Sequence, residues 1–238
     1  MSPTTQKAQV LERIHEIGLI PVLRATSAAE ALQLADAIAA GGVPILEVTM
    51  TVPGAIDVIR QIVENAGDRI LVGAGTVMDP DSARACILAG ARFIVSPSLN
   101  LGTIEVCRQL GVAVFPGALT PTEVVTAWDG GADAVKVFPC SAVGGAKYLK
   151  ALKAPLPQIE LIPTGGVSLT TAADFLAAGA FALGVGGDLV DNAAIARGEP
   201  EIITRNAEKY LEIIKAARSY PGQNGSESAP HEGKLWPP

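Results

Sequence analysis

Short apolar runs alternate along the chain with segments whose apolar residues recur at helical spacing. The runs predict buried β-strands, and the intervening segments predict amphipathic helices. Val10, Leu11, Ile14 and Ile17 define a first helix that precedes the first run. The predicted strands cover residues 19–24, 43–49, 70–75, 91–96, 111–116, 132–138, 160–164 and 181–185, and the predicted helices cover 4–17, 28–40, 54–65, 80–89, 100–110, 120–128, 144–152, 169–178 and 200–218.

The strand–helix pattern repeats every 20 to 30 residues, roughly, as expected of stacked units of one kind. Such alternation predicts parallel strands joined by right-handed crossovers, and eight units predict an α/β fold of the (β/α)8 TIM barrel type with an extra N-terminal helix. A doubly wound open sheet is the alternative, although it normally uses fewer units. Residues 1–218 are expected to form a single domain, and residues 219–238, rich in Pro, Gly and Ser, a flexible tail.

Several helix starts carry capping residues. Ser27 with Glu30 three residues later predicts a capping box, and Asp79 is the expected N-cap of the helix that begins at Pro80. Ser168 is predicted to cap the helix over 169–178 in the same way.

Composition and charge argue against several classes of function. The chain of 238 residues has a net charge of -6 and no basic run, which argues against a nucleic-acid partner. The polar stretch 1–10 does not look like a signal peptide, and no apolar stretch approaches the 18 or so residues of a membrane span, which predicts a cytoplasmic protein without a membrane partner. Three cysteines suit a reducing compartment, and only two histidines disfavour a metal site.

The run 132–138 (ADAVKVF) carries one lysine among apolar residues. Because side chains alternate along a strand, Ala134, Lys136 and Phe138 are predicted on one face and Val135 and Val137 on the other. Removal of an ammonium group from water disfavours its charged form, and a neutral amine can attack a carbonyl carbon. Lys136 is therefore the candidate Schiff-base nucleophile. The alternative is a lysine that only pairs with a carboxylate.

Unusual polar residues occur where the predicted strands end, which is where a barrel of this type places its active site. Arg24 ends the first strand, Glu47 lies near the end of the second, and Thr76 follows the third. A carboxyl among apolar neighbours tends to have a raised pKa and can transfer protons near neutral pH. Arg24 could hold a substrate carboxylate through two parallel hydrogen bonds. The alternatives are that Glu47 only neutralises Lys136 or Arg24, and that Arg24 forms a salt bridge at the rim.

Two pairs of glycines follow the last two predicted strands. Gly165 and Gly166 come after Thr164, and Gly186 and Gly187 end the eighth strand. Backbone N–H groups at these positions often bind phosphate in such barrels. Each pair alone is weak support, because many strand–helix turns require glycine for structural reasons.

With these residues in view, the chain resembles the 2-keto-3-deoxy-6-phosphogluconate (KDPG) / 4-hydroxy-2-oxoglutarate (KHG) aldolase family over about residues 10–218. The resemblance implies a small (β/α)8 barrel, a homotrimer, and class I aldolase chemistry on a 2-keto acid without a metal or other cofactor. The motifs that carry it are PVLRA at 21–25, EVT at 47–49, GAGTV at 73–77, VSP at 95–97, FPGALTPTE at 115–123, VKVFP at 135–139 and PTGGV at 163–167.

The resemblance also implies residue roles. Lys136 would form the Schiff base, and Glu47 would be the general acid/base. Arg24 and Thr76 would contact the pyruvyl carboxylate. The remaining predicted substrate-binding residues are Pro97 and Phe138 as pocket walls, with Thr164, Gly165, Gly166, Gly186, Gly187 and Asp188 at the distal, phosphate-bearing end.

Two positions depart from the family pattern. Thr51 stands where some members have an arginine that can reach the phosphate, and Asp188 stands where many have a small or hydroxyl residue. An Asp side chain beside a phosphate would repel it, unless the side chain points away or caps the following turn.

Three alternatives to KDPG cleavage stay open. The substrate could be unphosphorylated, such as 4-hydroxy-2-oxoglutarate or a deoxy sugar acid. The chain could be a sugar-phosphate isomerase, although that leaves Lys136 unexplained. It could also be an inactive scaffold, which the retained Lys136, Glu47 and Thr76 argue against.

Overall fold

The computed structural model describes residues 3–219, with the side chains described from residue 5 onward. The predicted flexible tail therefore lies outside the described residues, apart from Ser219, which ends the last helix. The helices are α1 Pro3–Ile17, α2 Ala28–Ala40, α3 Ala55–Ala66, α4 Pro80–Leu88, α5 Leu101–Gln109, α6 Pro121–Asp129, α7 Ala146–Lys153, α8 Ala172–Ala177, α9 Asn192–Ala196 and α10 Glu201–Ser219; the strands are β1 Leu19–Leu23, β2 Ile45–Thr49, β3 Leu71–Gly75, β4 Phe93–Val95, β5 Ala113–Phe115, β6 Gly117–Ala118, β7 Val135–Val137, β8 Leu161–Pro163 and β9 Leu183–Val185.

The strands form an α/β fold of parallel sheets. One sheet has the order β5-β4-β3-β2-β1-β9 and the other β6-β7-β8. Pro116 alone separates β5 from β6, and an isolated parallel bridge pairs Thr164, after β8, with Gly184 in β9. The carboxyl ends of β1, β2, β3 and β7 all lie on one side, because the strand pairs within the sheets and the bridge from Thr164 to β9 are all parallel in the described chain.

Apolar side chains form two cores, one on each face of the sheets. The larger core lies between strands and helices and includes Leu46, Val48, Val135 and Val137. A smaller core on the opposite face contains residues of β1, β2, β3, β4, β5 and β8, and Val10 and Ile14 of α1 pack into it. The predicted extra N-terminal helix is therefore present, and it covers the amino ends of the strands.

The predicted elements are found in order, with β6 and α9 in addition. The strand predicted over 111–116 is shorter and is followed by β6, because Pro116 lacks an N–H group to donate. The helix α9 was not predicted, since its five residues are too few for a clear period.

The predicted Ser168 cap is wrong. Helix α8 begins at Ala172, and its N-cap is Thr171, whose hydroxyl is turned back to the Gly166 carbonyl oxygen (2.9 Å). The Asp79 cap is confirmed, with the carboxylate accepting from the Ser82 N–H (2.8 Å). At Ser27 only half of the capping box forms, because Glu30 accepts from the Thr26 N–H instead.

No helix of the described part of the chain is both long and apolar enough to cross a membrane.

Candidate active site

Lys136 lies in β7 with its side chain on the face of the smaller core. Its residue is only 4% exposed, and its backbone N–H donates to the Pro116 carbonyl oxygen (2.9 Å). Nζ lies 5.2 Å from the centroid of the Phe138 ring, a cation–π distance. Val135 and Val137 point into the larger core, as the alternation predicted. The strand thus holds one amine away from bulk water at the carboxyl side of the sheet.

Glu47 lies in β2 and is 2% exposed. Its Oε1 has no hydrogen-bond partner among the described residues. Burial raises the pKa of this carboxyl above its ordinary value of 4.5, and the nearby charges of Lys136 and Arg24 oppose the shift in part. No ion pair between described side chains joins Glu47 to either cation. The site therefore holds a carboxyl that retains its proton to higher pH, near an amine that has no ion-pair partner among the described side chains.

Gly75, at the end of β3, leaves the space in which the Glu47 carboxyl lies. A Cβ at this position would be 1.8 Å from Oε1 and 2.5 Å from Cδ of Glu47. Gly184 in β9 does the same for Thr164, since a Cβ there would be 2.2 Å from Oγ1. Neither glycine was predicted as a site residue. A glycine inside a strand, which is normally unfavourable, was the available signal.

Thr76 has a positive φ of 57°, in the left-handed region. A β-branched residue is rare there, and such strained backbone occurs mainly at functional sites. The neighbouring peptide groups hold it in place, since the Met50 N–H donates to the Gly75 carbonyl oxygen (2.8 Å) and the Val77 N–H to that of Val95 (3.2 Å). Thr76 also directly follows Gly75, the glycine that leaves space for the Glu47 carboxyl.

Arg24 is exposed at the end of β1 and lines a pocket of about 340 Å³ with Val22, Gly187, Val190, Asp191 and Asn192. The Asn192 amide donates to the Arg24 carbonyl oxygen (2.9 Å). The Asp191 carboxylate accepts from the Ala194 N–H as the N-cap of α9. Asp191 and Asn192 were missed because they are remote from Arg24 in sequence and belong to no apolar period.

The two glycine corners differ in backbone conformation. Gly165 and Gly166 have positive φ values of 87° and 80°, whereas Gly186 and Gly187 do not. Thr164 donates its N–H to the Val137 carbonyl oxygen (3.0 Å), which places this corner directly beside the lysine strand. Gly187 has open space above its Cα.

Asp188 is held in place by two hydrogen bonds. Its Oδ1 accepts hydrogen bonds from the Leu169 N–H (3.1 Å) and from the Tyr210 hydroxyl of α10. Tyr210 is fully buried, and burial with the adjacent carboxylate raises the pKa of its phenol. This oxygen therefore joins the last strand's loop to the helical layer.

Pro97, Thr51 and Cys140 follow the carboxyl ends of β4, β2 and β7. Gly117 packs so closely on Pro97 that a Cβ there would be 2.2 Å from the Pro97 carbonyl carbon. Thr51 is exposed, and its hydroxyl lies 2.7 Å from that of the buried Thr49. Cys140 is buried, which raises its thiol pKa to about 11 and leaves an unreactive neutral thiol.

A family model described as KDPG and KHG aldolase matches residues 10–206. The chain belongs to this family. It is 34% identical over 215 residues to "2-dehydro-3-deoxy-phosphogluconate aldolase" of Haemophilus influenzae, covering 90% of this chain and 100% of the relative. It is 35% identical to "2-dehydro-3-deoxy-6-phosphogalactonate aldolase" of Escherichia coli K12, covering 85% and 96%. The family predicted from the motifs is therefore confirmed.

Solved structures of similar proteins agree. A KDPG aldolase from Legionella pneumophila, described with pyruvate captured as a covalent carbinolamine intermediate, has a TM-score of 0.78 at 30% identity and covers 84% of this chain and 97% of its own. A designed cube-shaped protein cage, made by fusing symmetric oligomeric domains, has a TM-score of 0.79 at 34% identity, covering 85% and 74%. The chain therefore has both the sequence and the fold of an aldolase family.

Proposed function

We propose that this chain is a class I aldolase that cleaves 2-keto-3-deoxy-6-phosphogluconate reversibly to pyruvate and glyceraldehyde 3-phosphate. The observation that carries the proposal is Lys136, buried and without an ion-pair partner among the described side chains, near the proton-retaining Glu47 in a chain of the KDPG and KHG aldolase family. The Legionella relative, described with a covalent pyruvate carbinolamine, supports the same chemistry here.

The neutral amine of Lys136 attacks the C2 ketone of the substrate, and Glu47 assists loss of water to give an iminium ion. The Glu47 carboxylate then takes the proton of the C4 hydroxyl, the C3–C4 bond breaks with release of glyceraldehyde 3-phosphate as the aldehyde, and the iminium accepts the electron pair to become an enamine. Glu47, directly or through a water molecule, protonates the enamine carbon. Hydrolysis then releases pyruvate and the free lysine. Each positioned proton transfer contributes roughly a hundredfold or more.

The substrate-binding residues carry the roles that the family resemblance implies. Arg24 and Thr76 contact the pyruvyl carboxylate, and Pro97 and Phe138 form the walls. The resemblance places six residues at the distal, phosphate-bearing end, where backbone N–H groups of the two glycine corners bind the phosphate: Thr164, Gly165, Gly166, Gly186, Gly187 and Asp188. The two hydrogen bonds that the Asp188 carboxylate accepts support a phosphate at this end, because the donors offset part of the negative charge that would repel it.

Cleavage of the corresponding phosphogalactonate is a second candidate, since the Escherichia coli relative named for that substrate matches this chain at 35% identity. 4-Hydroxy-2-oxoglutarate and unphosphorylated deoxy sugar acids are further candidate substrates to compare with the phosphogluconate. The kcat/KM values for these four compounds decide among them, and we expect the phosphogluconate to have the highest value.

Reductive trapping tests the chemistry. The protein is incubated with pyruvate and borohydride, and the adduct is mapped by mass spectrometry. We expect one adduct on Lys136 in the wild type and none in Lys136→Met, with full labelling of Lys150→Met, which changes an exposed lysine. A folded wild type without an adduct would overturn the proposal and favour the isomerase.

We further propose that residues 1–218 form one domain in which the two sheets close into a single (β/α)8 barrel. The one-residue gap between β5 and β6 and the bridge from Thr164 to Gly184 support closure. A crystal structure with a continuous ring of strands is the expected result, and an open edge at β8 or β9 would contradict it.

A homotrimer is proposed as well. The similarity to symmetric oligomeric domains of the designed cage supports a symmetric assembly, and Met78, Leu88 and Leu101 are exposed apolar side chains on or next to α4 and α5. Sedimentation equilibrium should give three times the chain mass of 24.4 kDa. A monomer mass at micromolar concentration would exclude the trimer.

The free thiols of the buried Cys86, Cys107 and Cys140 fit a cytoplasmic location.

A further inference from the structure

Gly75 and Glu47 occupy one space that a larger residue at position 75 would fill. The three atoms nearest to a Cβ at position 75 all belong to Glu47: Oε1 at 1.8 Å, Cδ at 2.5 Å and Cγ at 2.6 Å. We propose that Gly75 is a positioning residue for the reaction, which admits the Glu47 carboxyl to the place from which it exchanges protons with the pyruvyl carbon. This inference rests on the proposed function and adds the residue that determines where the acid/base group lies.

The backbone at position 75 does not itself require glycine. Gly75 is absent from the positive-φ glycines of the described chain, so alanine is sterically permitted by its φ. Glycine weakens a strand interior, and its presence there marks a close approach by another group. In this case the approaching group is the Glu47 carboxyl. Glycine is therefore needed at position 75 for the space that this carboxyl occupies, and not for the backbone conformation.

The register explains why the two residues meet. Glu47 is paired with Gly73 and Thr49 with Gly75 in the parallel ladder between β2 and β3. The Glu47 side chain therefore extends along the strand direction, toward the carboxyl ends, to reach the residue two positions farther on. The space above Gly73 is closed to it, because a Cβ at position 73 would lie 2.2 Å from the Phe93 ring. A carboxyl expelled from Gly75 cannot retreat toward the amino end.

The backbone of Gly75 is also held on both sides. The Met50 N–H donates to its carbonyl oxygen (2.8 Å), and the next residue, Thr76, is already in the left-handed region at φ 57°. A shift of β3 that made room for a methyl group would have to disturb this hydrogen bond and the ladder to β2. The Glu47 carboxyl, rather than the backbone, is therefore what an added methyl group displaces.

The expected consequence falls on proton transfer. In the Schiff base of pyruvate, Glu47 takes a proton from the methyl carbon, and the C–H electron pair forms the enamine double bond as the iminium nitrogen becomes neutral. Return of a deuteron in D2O labels the methyl group. Gly75→Ala should slow this exchange by about a hundredfold, the worth of one positioned proton transfer. Borohydride trapping at equilibrium should still label Lys136, because the amine is not displaced.

The experiment measures methyl-group exchange of pyruvate by NMR in wild type and Gly75→Ala, together with the extent of trapping at Lys136. The matched control is Gly73→Ala, whose methyl group meets Phe93 in the core rather than Glu47. It should lower the urea midpoint without separating exchange from trapping.

A second readout does not depend on activity. The shift in urea midpoint caused by Gly75→Ala should be large in the wild type and nearly absent in the Glu47→Ala background, where no carboxyl is displaced. Equal shifts in both backgrounds would overturn the inference, as would exchange at the wild-type rate in folded Gly75→Ala. If Gly75→Ala does not fold, the Glu47→Ala background decides: recovery of folding in it supports the inference and continued unfolding overturns it. Absence of trapping in the wild type would instead reject the proposed function alone.

Discussion

At the scale of single residues, the site depends on a carboxyl whose burial makes it a stronger base than an exposed one. The pKa of Glu47 is raised because burial disfavours the charged form more than Lys136 and Arg24 favour it. The folded chain therefore binds this proton more tightly than the unfolded chain, so stability falls as the pH rises from the ordinary value of 4.5 to the folded pKa and is level above it.

Glu47→Gln replaces the carboxyl with a neutral amide of nearly the same shape, which imitates the protonated form. It should raise the midpoint of thermal unfolding at neutral pH. The gain should vanish at acidic pH, where the wild-type carboxyl is protonated and is therefore as neutral as the glutamine amide. Unfolding from about pH 4 to about pH 8 tests this, with Glu12→Gln on the exposed face of α1 as control. A gain that is independent of pH would contradict the cause assigned to the pKa shift.

Thr76 combines backbone strain with a proposed contact to the substrate carboxylate. Thr76→Val keeps the branched shape in the left-handed region and removes only the hydroxyl, so its stability should stay close to that of the wild type. Loss of one hydrogen bond to a charged group should raise KM for pyruvate in the exchange reaction roughly tenfold. Thr76→Ser, which retains the hydroxyl, should bind pyruvate nearly as the wild type does. An unchanged KM in Thr76→Val would remove Thr76 from the carboxylate site.

At the scale of elements, Asp188 connects the loop after β9 to two other parts of the fold. It accepts hydrogen bonds from Tyr210 in α10 and from Leu169 in the loop before α8. Asp188→Ala leaves the Tyr210 hydroxyl buried without this partner, which should cost about 1–3 kcal/mol of unfolding free energy. Tyr210→Phe in the same chain should recover part of that loss, because no buried donor then remains. Urea unfolding of the two single variants and the double variant measures the coupling. Additive losses would show that the two side chains do not share a hydrogen bond.

At the scale of the whole molecule, α1 closes the end of the sheets opposite the site. Ile14 is fully buried in the smaller core, and Lys7 forms an ion pair with Asp133 (2.6 Å), which precedes the lysine strand. Ile14→Ala should lower the unfolding free energy by about 2–5 kcal/mol, as for other large-to-small changes in a core. Glu12→Ala on the same helix should have little effect. Trapping at Lys136 should persist in both variants, and its loss in folded Ile14→Ala would mean that α1 also shapes the site.

The sequence by itself determined the order of the elements and the face on which Lys136 lies. Both follow from local physics: apolar spacing selects strand or helix, and the two-residue alternation of a strand decides which side chains share a face. The Asp79 cap was predictable for the same reason, since the carboxylate and the N–H group it accepts from are three residues apart. The family could also be predicted, because its motifs are short and contiguous.

Only the tertiary structure decided how the site is arranged. The contact of Glu47 with Gly75 depends on the register of two strands, the direction of Asp188 on a tyrosine at position 210, and the place of Asn192 on its contact with Arg24. Each of these contacts joins residues far apart along the chain, so no local period predicts it. The sequence names the groups that can do chemistry, whereas packing determines which of them meet and which of their atoms remain free.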